Sequence, residues 1–297
     1  MMTNEELLEI FTTNAKNRPF KLAENTVNMY NTHIGYFLSY MENKNILSIT
    51  RKDVKSYMLS LKVSDSTYNL ALSAIRTMYK ILAYMLDDED VTDVTFGIVP
   101  IRDVKTEHKI PLSEVEQSLM LKYCKNARDY AIILTLISSG MRINECISLT
   151  LDDYAKRDSD GKIHLTITKG SKERNIWFNK NVCDAIDKYL LTRKESKYDN
   201  LFISNGGVPM DRSCVSRTLK TIARRAGLSE ERVAKISNHC TRKTFGTNLA
   251  NKGEDIQTIA TAMGHANIQT TYNAYIKMDE SKIMRAFAWQ MWLSVVK

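Results

Sequence analysis

Apolar residues return at helical intervals through most of this 297-residue chain. In "ENTVNMYNTHIGYFLSYMENK" and "SDSTYNLALSAIRTMYKILAYML" they recur every three to four positions, and Tyr68, Leu72, Ile75, Tyr79 and Leu82 line one stripe of the second segment. A stripe of that period belongs to a helix with one face in a core. "TNEELLEIF" opens with Thr3 and Glu6 at capping-box spacing, and "TRKDVKSYMLSL" begins on Thr50, a good N-cap residue. The first hundred or so residues therefore read as a small helical bundle with its own core. The period is lost in "FGIVPIRDVKTEHKIP", which mixes charge with two prolines and reads as a linker. The expected boundaries are a bundle over 1–103, a linker over 104–110 and a second domain over 111–297.

The second domain starts with "LSEVEQSLMLKYCKN", a helix capped by Ser113 with Glu116 three residues on. "ARDYAIILTLISSGMRINECISLTLDD" predicts a buried helix interrupted near Gly140 and then restarted. "KIHLTITKGSKERNIWFN" alternates along two arms around "KGSK", the pattern of a β-hairpin. The remainder of the chain is again helical, with turns at "SNGGVP", "RAGLS" and "NKGED". The fold class expected is mainly α: a helical bundle, then a mixed α/β domain that is mostly helical with a small antiparallel sheet.

Charge separates the two parts. Residues 1–105 carry 12 basic and 13 acidic side chains, and residues 106–297 carry 30 and 21, so the net charges are −1 and +9. A basic surplus confined to the second part suits a polyanionic partner there. The five cysteines, at 124, 146, 183, 214 and 240, are odd in number and form no C-x-x-C pair. They predict neither a disulfide framework nor a metal site. The longest apolar run, "YAIILTLI", falls short of the roughly 18 residues of a membrane span, and the expected location is the cytoplasm.

Four stretches of the second part bring together residue types suited to one reaction. In "SSGMRINECISL", Arg142 stands at the start of a helix with Glu145 three residues later, where backbone N–H groups and a guanidinium favour the same anion. Lys169 lies at the hairpin tip, with Lys172 and Arg174 as competing candidates. "NHCTRKTFGTNLA" places His239 and Arg242 one turn apart. "DIQTIATAM" then leads through a helix end at Gly264 into "GHANIQTTYNAYIK", with His265, Tyr272 and Tyr275. Taken singly, each has a plain structural reading as an ion pair, a wet loop or a packing residue. Tyr272 and Tyr275 are three apart and face similar directions, so helical phase does not choose between them.

Taken together and in order, "GMRINE", the hairpin lysine, "HCTR", "MGHANI" and the terminal tyrosine resemble the tyrosine recombinase family, the phage-type integrases and Xer-like site-specific recombinases. The resemblance spans nearly the whole chain. The first hundred residues are similar to the family's helical core-binding, DNA-binding domain, and "HKIPLSEVE" resembles the start of its catalytic domain. The family's nucleophile lies about nine or ten residues beyond the Gly-His histidine. Tyr275 is ten beyond His265, whereas Tyr272 is only seven. The resemblance implies Tyr275 as nucleophile, with Tyr272 a packing residue beneath it. It further implies His239 as general base, Arg142, Arg242 and His265 as transition-state donors, and Lys169 as the acid for the leaving oxygen. Glu145 would support Arg142.

The implied reaction is site-specific recombination of double-stranded DNA through a covalent 3′-phosphotyrosine and a Holliday junction, with no metal, ATP or other cofactor. The implied partners are recombination sites, further copies of the chain in a tetramer on DNA, and an accessory directionality factor, with no membrane. The expected setting is the nucleoid of the cytoplasm, in the service of a mobile element. A separate arm-type DNA-binding module ahead of the bundle is not expected. The apolar tail "ESKIMRAFAWQMWLSVVK" needs a groove; the resemblance implies a C-terminal helix that docks on a neighbouring protomer, and packing against its own domain is the alternative. Two rivals stay open on sequence alone. "IQTIATAMGHANIQTTYNAYI" also has the outline of a helix-turn-helix regulator, and a type IB topoisomerase shares the same nucleophile logic.

Overall fold

A computed structural model describes residues 2–86, 91, 93–102, 110–165, 173–265 and 267–275, and for 270 and 273–275 the backbone only. The hairpin turn with Lys169, most of the expected linker, and the tail from 276 onward lie outside the described residues. The chain divides into two compact units, Met1–Glu107 and His108–Lys297.

In the first unit the helices are α1 (Asn4–Ala15), α2 (Glu24–Tyr40), α3 (Arg51–Ser60) and α4 (Asp65–Leu86), with a 3-10 turn at Ile46–Ser48. The caps arise where the sequence places them: Thr3 with Glu6, and Thr50 with Asp53, form reciprocal capping boxes. The core gathers Leu7 and Phe11 from α1, Ile34 and Phe37 from α2, and Leu72, Ile75, Met78 and Leu82 from α4, all buried. Its polar seams are satisfied. Tyr79 Oη donates to Ile46 O at 2.8 Å, and Ile46 N donates to Asn4 Oδ1 at 2.8 Å. Burial pushes the Tyr79 phenol above its usual range, so it stays a donor. Arg76 donates to Thr95 Oγ1 and Ile98 O, tying the segment after α4 back onto that helix.

The second unit is built around α6 (Ala127–Ser139), which is buried on most of its surface through Ala131, Ile132, Ile133, Leu136 and Ile137. A helix apolar nearly all round must lie inside a domain. Around it run α5 (Glu114–Lys122), α7 (Ile143–Ser148), α8 (Leu151–Ala155), α9 (Lys180–Leu190), α10 (Arg212–Arg225), α11 (Glu230–Lys235), α12 (Asn238–Asn251), α13 (Ile256–Met263) and α14 (Ile268–Tyr275). The two strands, β1 (Lys162–Leu165) and β2 (Arg174–Trp177), pair antiparallel with Ile163 opposite Ile176 and Leu165 opposite Arg174. Among the described residues, no helix is long and apolar enough to cross a membrane.

Two joints hold the start of this unit, one to α12 and one to α11. Leu112 N donates to Thr244 Oγ1 at 2.8 Å. Arg232 forks onto Glu116 at 2.6 and 2.9 Å and reaches Pro111 O at 2.7 Å. That bidentate pair holds the Glu116 carboxyl below its usual range.

The interruption read at Gly140 is a left-handed C-cap with φ 60°. A Cβ there would stand 2.2 Å from Cδ1 of Phe245 on α12. Gly140→Ala combines a left-handed backbone with a core overlap, and about 2 kcal/mol or more of stability should be lost. A thermal melt within about 1 °C of the unsubstituted protein would show that the ring yields and the overlap costs nothing.

Candidate active site

The site forms where the ends of α6, α12 and α13 meet the start of α7. Arg142 is the N-cap of α7, and its main-chain N–H donates to Glu145 Oε2 at 2.7 Å. Its guanidinium bridges outward, from Nη1 to Glu145 Oε1 at 2.8 Å and from Nη2 to Gly264 O at 2.8 Å. The local Arg-x-x-Glu spacing thus becomes one side of a larger lattice.

Glu145 is the centre of that lattice. Its side chain is 1% exposed and also takes Arg174, whose Nη2 lies 2.7 Å from Oε2 and whose Nε lies 3.3 Å from Oε1. Burial pushes this carboxyl up, but the hydrogen bonds and charges of Arg174 and Arg142 outweigh it, and Glu145 sits below the usual carboxylate range. One carboxylate shared by two guanidiniums leaves local positive charge in excess. Arg174 also donates from Nη1 to Ala262 O at 2.9 Å, gripping the last turn of α13.

Arg242, on α12, is 7% exposed and donates to Gly140 O and Met263 O. Those carbonyls lie at the buried C-terminal ends of α6 and α13, where helices leave acceptors over. Gly264 closes α13 in the left-handed region at φ 62°. A Cβ at that position would come within 2.7 Å of Arg174 Cδ, so glycine serves both the turn and the close approach of the guanidinium. His265 is next in the chain. Its main-chain N–H donates to Ala260 O at 3.0 Å, and its Nδ1 lies 2.7 Å from Thr271 Oγ1 on α14. Burial, then the charges of Arg242, Arg142 and Arg174, lower the imidazole from 6.5 to about 4, so the ring is neutral at ordinary pH in a positive field.

This shift has a testable sign. The unfolded chain takes up a proton at His265 near pH 6.5, while the folded chain holds out to about 4. The unfolded state binds more protons in that window, so stability falls as the pH drops through it. Thermal melts from pH 6.5 to 4 should show a decline that is shallower in His265→Asn. Identical slopes would mean that His265 is not held neutral.

Of the residues singled out in the sequence, Arg142, Glu145, Arg242 and His265 converge here. His239, second residue of α12, is exposed. Lys169 lies outside the described residues, and for Tyr275 only the backbone is described, as the last residue of α14. Two readings change. Tyr272 is 49% exposed, so it is not a buried packing residue; among the α14 side chains described, the buried one is its neighbour Thr271. Arg174 is not a loop lysine's competitor but a strand residue with an 11% exposed side chain, enclosed by Glu145 and Ala262 O. Strand alternation contained that signal, because Arg174 shares a face with the buried Ile176. For Thr271 no local signal existed.

Residues 111–282 match the Phage integrase family, more than half of the chain, and residues 7–86 match the Phage integrase, N-terminal SAM-like domain. The chain belongs to the phage integrase family of tyrosine recombinases. Among the curated relatives of this recombinase, Tyrosine recombinase XerC of Anoxybacillus flavithermus is 27% identical over 267 residues, covering 84% of this chain and 86% of that one. Tyrosine recombinase XerD of Listeria monocytogenes is 27% identical over 289 residues, covering 90% and 93%. The crystal structure of XerA recombinase is 27% identical and covers 96% of this chain and 98% of that chain, at a TM-score of 0.53. The fold is also that of the Tn1549 transposon integrase solved in complex with transposon right end DNA, with TM-score 0.73, 22% identity, and 97% and 99% of the two chains covered.

Proposed function

We propose that this recombinase cuts and rejoins double-stranded DNA at specific sites through a covalent 3′-phosphotyrosine at Tyr275, passing through a Holliday junction. The observation that carries this reading is the convergence of Arg142, Arg174, Arg242 and neutral His265 about Glu145 and the Gly264 turn, from which α14 leads to Tyr275. A positive, hydrogen-bond-rich basin of that kind is what a pentacoordinate phosphate requires, since its added charge falls on the non-bridging oxygens.

The roles follow the chemistry. The Tyr275 oxygen attacks phosphorus as His239 takes the phenolic proton, and the 5′-oxygen leaves with a proton from Lys169. Arg142 and Arg242 neutralise the oxyanions, and His265 gives a hydrogen bond. Glu145 holds Arg142 in place. The energy of the broken phosphodiester is kept in the tyrosyl ester, so the scheme requires neither ATP nor a metal. Residues 1–103 would bind the duplex as the core-binding domain, with 104–110 as linker and 111–297 as the catalytic domain. Strand exchange between two duplexes requires four protomers, which the tail 283–297 would link in trans. DNA complexes of the similar Tn1549 integrase and of XerH support the choice of partner. An accessory directionality factor and a place in the nucleoid complete the reading.

The test is covalent capture. Nicked duplexes tiled from the DNA that flanks the gene are incubated with the protein, and one should yield an adduct that survives denaturation. Adducts on every duplex regardless of sequence would point instead to a type IB topoisomerase, and binding without any adduct to a regulator.

A further inference from the structure

Thr271 has no part in the scheme above, yet it is fully buried and its hydroxyl meets the ring of His265. We propose that Thr271 is a positioning residue: its hydroxyl donates to Nδ1 of His265, keeps the ring in the Nε2–H tautomer, and ties helix α14 to the arginine basin. The inference rests on the roles of His265 and Tyr275 proposed above.

The direction of this hydrogen bond follows from where the hydroxyl proton has to go. Helical threonines commonly give that proton to the carbonyl four residues back. Thr261 does so to Gln257 O at 2.8 Å, Thr244 to Cys240 O at 2.9 Å and Thr77 to Ser73 O at 2.7 Å. Among the described residues, Thr271 has no such bond to Asn267 O, and its one hydrogen-bond partner is Nδ1. A buried hydroxyl proton without an acceptor is costly, so it goes to Nδ1, which must then carry the lone pair. In a neutral imidazole the remaining proton sits on Nε2. That tautomer presents a donor, which is what a phosphoryl oxygen needs; the other would present a lone pair to an anion.

The same contact couples two parts of the site. The main chain of His265 is pinned to the end of α13 through Ala260 O, and the preceding carbonyl, Gly264 O, accepts from Arg142. Ring rotation is the freedom left, and Thr271 removes it. Thr271 lies one helical turn before Tyr275 on α14. Docking of the nucleophile's helix and orientation of the anion donor therefore occur as one event.

The first measurement requires no DNA. In protein labelled with ¹⁵N-histidine at neutral pH, two-bond ¹H–¹⁵N correlations should show His265 with a bare Nδ1 and a protonated Nε2, the signals assigned by their loss in His265→Asn. Thr271→Val should disturb that pattern and Thr271→Ser restore it. A protonated Nδ1 in the unsubstituted protein would overturn the proposal. The second measurement uses the nicked duplex captured above. Thr271→Val should slow adduct formation about 10-fold with duplex affinity held within about 3-fold, while Thr271→Ser stays within about 3-fold of the unsubstituted rate. An unchanged rate in the valine variant would also sink it. Should valine prevent folding, the unsubstituted spectrum and the serine variant still decide the matter. Absence of any adduct in the unsubstituted protein would count against the recombinase chemistry, and the tautomer spectrum would still test the hydrogen bond separately.

Discussion

Tyr275→Phe will bind its duplex with unchanged affinity and form no covalent adduct, whereas Tyr272→Phe will form it at a rate within about 3-fold of the unsubstituted protein. The loss in the first variant is absolute because the phenolic oxygen is the atom that becomes esterified, and no neighbouring group substitutes for a missing nucleophile. The second variant is tolerant for a structural reason. Tyr272 is 49% exposed, so removing its hydroxyl opens no cavity and strands no buried partner. Denaturing gels on the nicked duplex read both results. An adduct in Tyr275→Phe, or its loss in Tyr272→Phe, would reassign the nucleophile.

Glu145→Gln will cost about 3 kcal/mol and lower the melting temperature by roughly 6 to 12 °C. Glutamine has nearly the same shape, but it replaces one carboxylate oxygen with an NH₂. One of the donors that now converge on the carboxylate, the guanidiniums of Arg142 and Arg174 and the Arg142 main-chain N–H, would then meet a donor in place of an acceptor. The side chain is 1% exposed and Arg174 only 11%, so water cannot replace the lost charge. Because this carboxylate also aims Arg142, adduct formation should slow by about 100-fold. Melts and adduct rates on the same variant separate the two effects. A melting shift below about 2 °C would mean that the two arginines do not depend on this carboxylate.

Much of the fold was legible locally. The capping boxes at Thr3, Thr50 and Ser113, the stripe along α4 and the break at Gly140 all arise from residues within a turn or two of one another. The Arg142–Glu145 pair was legible for the same reason, being three residues apart within one helical start. The family resemblance added the order of the remaining chemical residues. Neither kind of signal distinguishes the adjacent polar positions of α14, and so the sequence marks Tyr272 as a packing residue where the structure buries Thr271 and exposes Tyr272.

The sequence by itself determined the helices, their ends, the hairpin's alternation, the basic second domain and the roster of residues able to handle a phosphate. Only the tertiary structure decided which of these share one basin. It joined Arg142 to Gly264 across 122 positions of chain, Arg242 to Gly140 across 102, and Arg174 to Ala262 across 88. It also made Glu145 the common anchor, Arg174 a member of the site, and His265 a neutral ring held by Thr271. The physical reason is range. Periodicity and capping are properties of neighbouring residues, whereas the field at His265 and the sharing of one carboxylate depend on the close packing of α6, α12 and α13, which no short stretch of sequence encodes.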